Sequence, residues 1–493
     1  MSLIVPAVVR GKVITDNLVS MSGRGEGLLF DAPDPSSILS QLSLGNPGLL
    51  KDAYALPFDE VVSYLDQLSS ELSYERNDFL QEAMELSVPL ADVTRPVLEA
   101  QYRQLGSWFT AERVKEVAQV SIGMEHLDGW SERRMNNGSI AAVRAIGARC
   151  LHIIAGNSPM LAGLTILCNA LTRGDAVIKV PSNDPLTASA LIRTMIRMAP
   201  EHPITRHVSC AYWKGGDVDF ENGLYTPRNF EKILAWGGYN AVKHVTRYIQ
   251  PGLELISLDP KRSATVIGSE AFSDEATMRA VARNAAVDIG MMNQIACVNA
   301  RLIYVASGTD EAGISRARRL GEMIYEAMIA LPEHLSTKPK QISSELAAAI
   351  VGIRSSPDFF SVIGGHEQEG AIIVSHTDEE VEFYPLLASR VANIVPLDDP
   401  SDAVSRMTSY SQTIGVYPES LKRELRDVLP LYGAQRLVSL GGAFIDNAPA
   451  VPQDAIELIR RMAKWIVDDT SSDAVAASES SKHNQRQTLE LVV

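Results

Sequence analysis

CLHIIAGNSPMLAGLTILCNALTRGDAVIKV, residues 150–180, reads as a strand, a helix and a second strand. The apolar run CLHIIAG ends in a glycine, and Pro159 stands where the first turn of a helix tolerates it. The helix runs to about Arg173, and AVIKV (176–180) is again β-rich. Strands joined by such a helix make a right-handed βαβ unit with a parallel sheet. The alternation continues through PLTASALIRTMIRM, HVSCAYW, KILAWGG, YNAVKHVTRYI, LELISLD and SATVIG. The expected fold class is therefore α/β, with an open parallel sheet that binds a nucleotide at the carboxyl ends of its strands.

A second α/β region begins with the helix SDEATMRAVARNAAVDIG (273–290). It continues through ARLIYVA, a helix over 310–330, GAIIVSHT, VANIVPL, TIGVYP and RLVSLGG. Ahead of both lies a mixed segment with β-like LIVPAVV and KVITD and the helical FDEVVSYLDQLSSEL. Its glycine cluster SGRGEG (22–27) has neither the strand–loop–helix setting nor the Lys-Ser/Thr of a phosphate loop, so a plain turn is expected. DAIELIRRMAKWIVDD (454–469) reads as a closing helix, followed by a polar tail whose last residues, TLELVV, can add an edge strand.

Composition narrows the function. Of 493 residues, 46% are hydrophobic and 21% charged, as in a soluble globular protein. A net charge of −15 argues against a general nucleic-acid binder. No apolar run is long enough to span a membrane, and the N-terminus lacks the pattern of a signal peptide. The four cysteines form neither a disulfide framework nor a metal-ligand cluster, which points to a reducing, cytoplasmic setting and no metal. Cys150, Cys168 and Cys210 sit in core-like runs.

Cys297 is different. In GMMNQIACVNARLIYV (290–305), Gly290 breaks a helix, Asn293 and Gln294 are polar, and the strand starts only after Asn299. These features place Cys297 at a loop mouth beside a strand end, where function concentrates. Asn157, in GNSPMLAG, reads either as a helix cap or as an amide donor for a developing oxyanion. Trp236, Gly237 and Gly238 close another strand, where small residues let a nucleotide approach the backbone.

Several motifs resemble the aldehyde dehydrogenase superfamily: VIKVPSNDPLTASA its cofactor-ribose segment, GNSP its oxyanion-asparagine turn, NQIAC its nucleophile loop and LELISLDP its general-base segment. LDPKRSATVI, GAQRLVSLGG (433–442) and DAIELIRRMAKWI resemble more closely the LuxC-type acyl-CoA reductases, which supply long-chain aldehyde in bacterial bioluminescence. The resemblance runs in order from about residue 100 to 467. It implies a Rossmann-like cofactor domain, an α/β catalytic domain and a small oligomerisation element. The corresponding division is a mixed N-terminal region at 1–110, the nicotinamide-cofactor domain at 111–270 and the catalytic domain at 271–445. A C-terminal helix at 446–470 returns to the cofactor domain, and 471–493 is the tail.

The resemblance further implies that Cys297 is the nucleophile, Asn157 the oxyanion donor, and Lys179 a contact to the adenosine ribose. Glu254 takes the general-base position if LELISLDP is aligned without a gap, and Val242 stands where the superfamily has a further glycine. Dehydrogenases that prefer NAD commonly carry a glutamate three residues after that lysine. Here the residue is the neutral Ser182, with Asp184 nearby, which favours NADPH over NADH. The expected activity is reduction of an acyl-CoA, of fatty acyl type, to free aldehyde through an acyl-cysteine. The expected partners are a second copy of the chain and an acyl-activating or acyl-transferring enzyme. Competing readings are an aldehyde dehydrogenase producing acid or acyl-CoA, with Glu254 activating water, and a non-redox thiol acyltransferase.

Overall fold

The computed structural model describes residues 3–23, 29–444 and 449–471. Most of the glycine cluster at 22–27, and the tail with its TLELVV terminus, lie outside them.

Two seven-stranded sheets dominate. The first runs in the order Glu254–Leu258, Lys232–Trp236, Arg149–Ile153, Asp175–Lys179, Val208–Ala211, Ala7–Val9, Lys12–Ile14. Its first five strands are parallel, and the two N-terminal strands extend it antiparallel. The strand order reverses between Arg149–Ile153 and Lys232–Trp236, which opens a crevice beyond their carboxyl ends. The helix Met160–Thr172 is apolar on every side because it is enclosed. The first sheet covers one side, and helices Phe58–Glu71, Arg95–Gln104 and Ala111–Ser121 cover the other.

The second sheet runs Phe360–Gly364, Ala371–Ser375, Val391–Pro396, Ala300–Val305, Arg262–Ile267, Ser411–Tyr417, Arg436–Ser439, and only its first pair is antiparallel. Arg262–Ile267, expected with the cofactor domain, lies inside this sheet.

The closing helix requires a correction. Only Leu458–Met462 is helical, and Ala463–Thr470 is a strand paired antiparallel with Ile140–Gly147 along its whole length. Ser131–Arg134 completes this small sheet. The segment does return to the first half of the chain, but through a ladder of backbone hydrogen bonds. Trp465, Ile466 and Val467 supply the β-favouring side chains that suit it.

Candidate active site

Cys297 sits in a loop whose backbone is held far from its relaxed state. Met292, Asn293 and Gln294 have φ of 52°, 54° and 64°, three consecutive non-glycine residues in the left-handed region. Polar side chains replace the missing secondary structure. Gln294 is fully buried, donates to the carbonyls of Ala300 (2.9 Å) and Val391 (3.0 Å), and accepts from the Val391 N–H at 2.8 Å. Asn293 accepts from the Thr337 N–H at 2.8 Å. Asn299 donates to the carbonyls of Asp288, Ile289 and Met291. Asn293 and Gln294 are thus polar because they clamp this loop.

The loop enters Ala300–Val305 at the amino edge of the second sheet, and neighbouring strand starts converge on it. The Ser263 hydroxyl donates to the Cys297 carbonyl at 2.7 Å and accepts from the Thr413 N–H at 3.1 Å. Gln412 donates from Nε2 to Cys297 Sγ at 3.2 Å, and the same nitrogen donates to Asp454 Oδ1. The Arg301 guanidinium is bound to the carbonyls of Leu387, Asn299 and Gln294, with no carboxylate partner among the described residues. Burial pushes the Cys297 thiol above its usual range and the Asp454 carboxylate adds to this, while the Gln412 amide and the Arg301 charge pull it back. Cys297 is partly accessible, whereas Cys150, Cys168 and Cys210 are buried. Burial raises Cys150 and Cys210 to about 12.

The first sheet faces this loop with its carboxyl ends. Asn157, four residues beyond the end of Arg149–Ile153, donates from Nδ2 to the Ile295 carbonyl at 3.3 Å, and its own Oδ1 is buried without a partner. Asn157 makes no cap to the following helix; the Ser158 hydroxyl accepts from the Met160 N–H instead, at 3.3 Å. Gly156 is required here: a Cβ would lie 1.9 Å from Asn183 Oδ1.

Trp236, Gly237 and Gly238 lie at the same edge, beside the reversal of strand order. A Cβ on Gly238 would meet nothing within 4 Å, and the helix Tyr239–Thr246 starts there with no side-chain cap. The buried Trp236 Nε1 has no partner. Lys179 ends the strand on the other side of Arg149–Ile153, its ammonium 5.6 Å from the Trp213 ring and 6.0 Å from that of Tyr212. It has no ion pair among the described residues, and burial lowers it to about 8 against the opposing charge of Glu221. Ser182 is half-buried in the turn that follows. The Asp184 carboxyl is turned into the protein, where it accepts from the Thr187 hydroxyl at 2.5 Å. An exposed glycine turn, a bare helix N-terminus, an orphan indole N–H and an unpaired cation fit a dinucleotide.

Glu254 is not brought to the thiol. It begins its strand at the opposite, amino end and is paired with Lys232 (2.8 Å) and Arg461 (2.6 Å). About 13 Å of strand separates it from the crevice end. The residues that sequence reasoning missed are Gln412, Asp454, Ser263 and Arg301. Only Gln412, a polar residue opening the apolar TIGVY run, left a visible trace.

A family model described as acyl-CoA reductase (LuxC) matches residues 53–465. The chain belongs to this LuxC acyl-CoA reductase family. Among its relatives, the long-chain acyl-protein thioester reductase of Aliivibrio fischeri is 25% identical over 414 residues, covering 82% of this chain and 81% of the relative. The fold is that of the aldehyde dehydrogenases. KauB from Pseudomonas aeruginosa superposes with a TM-score of 0.72 at 12% identity, covering 96% of this chain and 97% of its own. An NADP-dependent glyceraldehyde-3-phosphate dehydrogenase from Bacillus halodurans C-125, solved with NADP, gives 0.71 at 13% identity, covering 96% and 99%. No helix among the described residues of this LuxC-family chain is long and apolar enough to cross a membrane.

Proposed function

We propose that this protein reduces an acyl thioester, of fatty-acyl type, to the free aldehyde, with NADPH as reductant and Cys297 as the acyl carrier. The observation that carries this reading is the meeting of Asn157 with the Cys297 loop, opposite a crevice suited to a dinucleotide.

Cys297 attacks the thioester carbonyl as its thiolate. The developing oxyanion is received by the second N–H of the Asn157 amide and the Cys297 backbone N–H. The carbon–sulfur bond to the donor breaks, the donor leaves as a thiol, and the acyl group stays on Cys297. A nicotinamide, when bound, supplies the hydride that lowers the acyl group to the aldehyde level. Collapse of the resulting hemithioacetal returns Cys297 to its starting state. Lys179 and Ser182 hold the adenosine end. Because Ser182 is neutral and Asp184 is turned inward, neither sets a carboxylate against a 2′-phosphate at the Lys179 cation, and the Glu221 charge that also acts on that cation is shared with His244 and Tyr248.

The acyl donor is an acyl-CoA or an acylated protein, the latter in keeping with the names of the relatives. Hydrolytic aldehyde oxidation is disfavoured because Glu254 is committed to Lys232 and Arg461, away from Cys297. The test is intact mass after mixing with acyl-CoA in the absence of nicotinamide. One acyl group should appear, map to Cys297, and be absent from Cys297→Ala. Label on Cys150, Cys168 or Cys210, or none on an active enzyme, overturns the reading.

A further inference from the structure

The Gln412 amide lies between two anionic or potentially anionic groups. Its Nε2 faces both the Cys297 sulfur, at 3.2 Å, and Asp454 Oδ1, while its Oε1 is buried with no partner. An amide has two ends of nearly equal size, and a buried carbonyl without a donor gives no reason for either orientation. The carboxylate provides one. With Oε1 turned the other way, two acceptor oxygens would face each other and the sulfur would meet a carbonyl instead of an N–H.

Asp454 is itself held in place for this. It lies in the connection before Leu458–Met462, with φ of 52° followed by 60° at Ala455, and the bridge between Gln453 and Ile456 closes the turn around it. Lys261 and Asp259 face it from the end of the first sheet. Asp454 makes no hydrogen bond to the sulfur, so its influence on the thiol passes through Gln412 and through its charge.

We propose that Asp454 is a positioning residue that fixes the Gln412 amide with its N–H toward Cys297 Sγ, so that the thiolate forms against a donor. The proposal rests on the reading of Cys297 as nucleophile. Its two consequences oppose one another: the Asp454 charge disfavours the thiolate, and the amide orientation it enforces favours it. Arg301 and Arg436, the other charges near the sulfur, belong to different segments and stay the same when Asp454 is changed.

The two consequences separate by comparing neutral substitutions in the full-length protein. Asp454→Asn removes the charge and keeps an acceptor for Gln412, whereas Asp454→Ala removes both. The readout is the rate of Cys297 alkylation by iodoacetamide against pH, followed by intact mass and peptide mapping. The midpoint of the Ala variant should lie above that of the Asn variant by about one pH unit, the effect of one hydrogen bond to a charged group. In a Gln412→Ala background the two variants should coincide. If Asp454→Ala does not fold, Asp454→Ser, also neutral but too short to reach, takes its place. Equal midpoints in the Gln412-containing protein, or a difference that survives removal of Gln412, overturn the proposal. Alkylation needs neither acyl donor nor nicotinamide. Failure of acyl-CoA to label Cys297 would therefore count against the proposed reaction and leave this comparison intact.

Discussion

The Asn157 amide reaches from the first sheet to the Ile295 carbonyl, 3.3 Å away, two residues before Cys297 in the loop of the second sheet. One of its two amide hydrogens is used there, leaving the other for an oxyanion. Asn157→Ala should lower the single-turnover acylation rate by about 10²–10³. Substrate binding should change much less. An unaltered rate in a folded variant would restrict Asn157 to supporting the loop.

The thiol is raised by its surroundings, and the thiolate is the reactive form. Acylation should therefore accelerate as pH rises and level off only above the ordinary thiol value of about 8.5. Stopped-flow rates between neutral and alkaline pH decide this, and a plateau reached well below that value contradicts it. Under native conditions iodoacetamide should modify Cys297 and spare the three buried cysteines.

Lys179 stands at about 8, so its charge is abundant at neutral pH and lost as pH rises through that value. Affinity for NADPH should fall over this range more steeply than affinity for NADH, because only the former carries a 2′-phosphate for the ammonium. Lys179→Met should weaken NADPH by about 10–100-fold, the worth of a hydrogen bond between charged groups. Ser182→Glu should move the preference toward NADH. Equilibrium binding of both nucleotides measures each effect, and an unmoved preference in Ser182→Glu means that other residues form the ribose pocket.

Glu254 joins its strand to Lys232 and Arg461 in partly exposed pairs. Glu254→Ala should leave aldehyde formation unchanged and lower stability by about 1 kcal/mol or less. Urea denaturation and steady-state assay of the same preparation check both. A large loss of activity at unchanged stability would return Glu254 to the chemistry.

Much of the fold was legible because βαβ units announce themselves locally. The enclosed helix after CLHIIAG, the helix before Cys297 and the strand after it are all written in continuous runs of 13, 16 and 6 residues. Cys297 itself was legible for a related reason: polar residues interrupt an apolar pattern where backbone groups need side-chain partners, and Gln294 and Asn299 supply them. The strand Ala463–Thr470 was not. Its partner is more than 300 residues away, and its local pattern of long aliphatic and charged residues also suits a helix.

Sequence alone determined the alternation of strands and helices, the exceptional setting of one cysteine and the neutral Ser182 three residues after Lys179, since each is a property of neighbours along the chain. Tertiary structure alone decided that Glu254 stands at the wrong end of its strand and that Gln412 and Asp454 converge on Cys297. The reason is geometric. The two ends of a five-residue strand are about 13 Å apart though only four positions apart in sequence, whereas strand pairing sets the Cys297 loop beside Gln412 and a distant turn brings Asp454 to the same amide, through contacts that no short window contains.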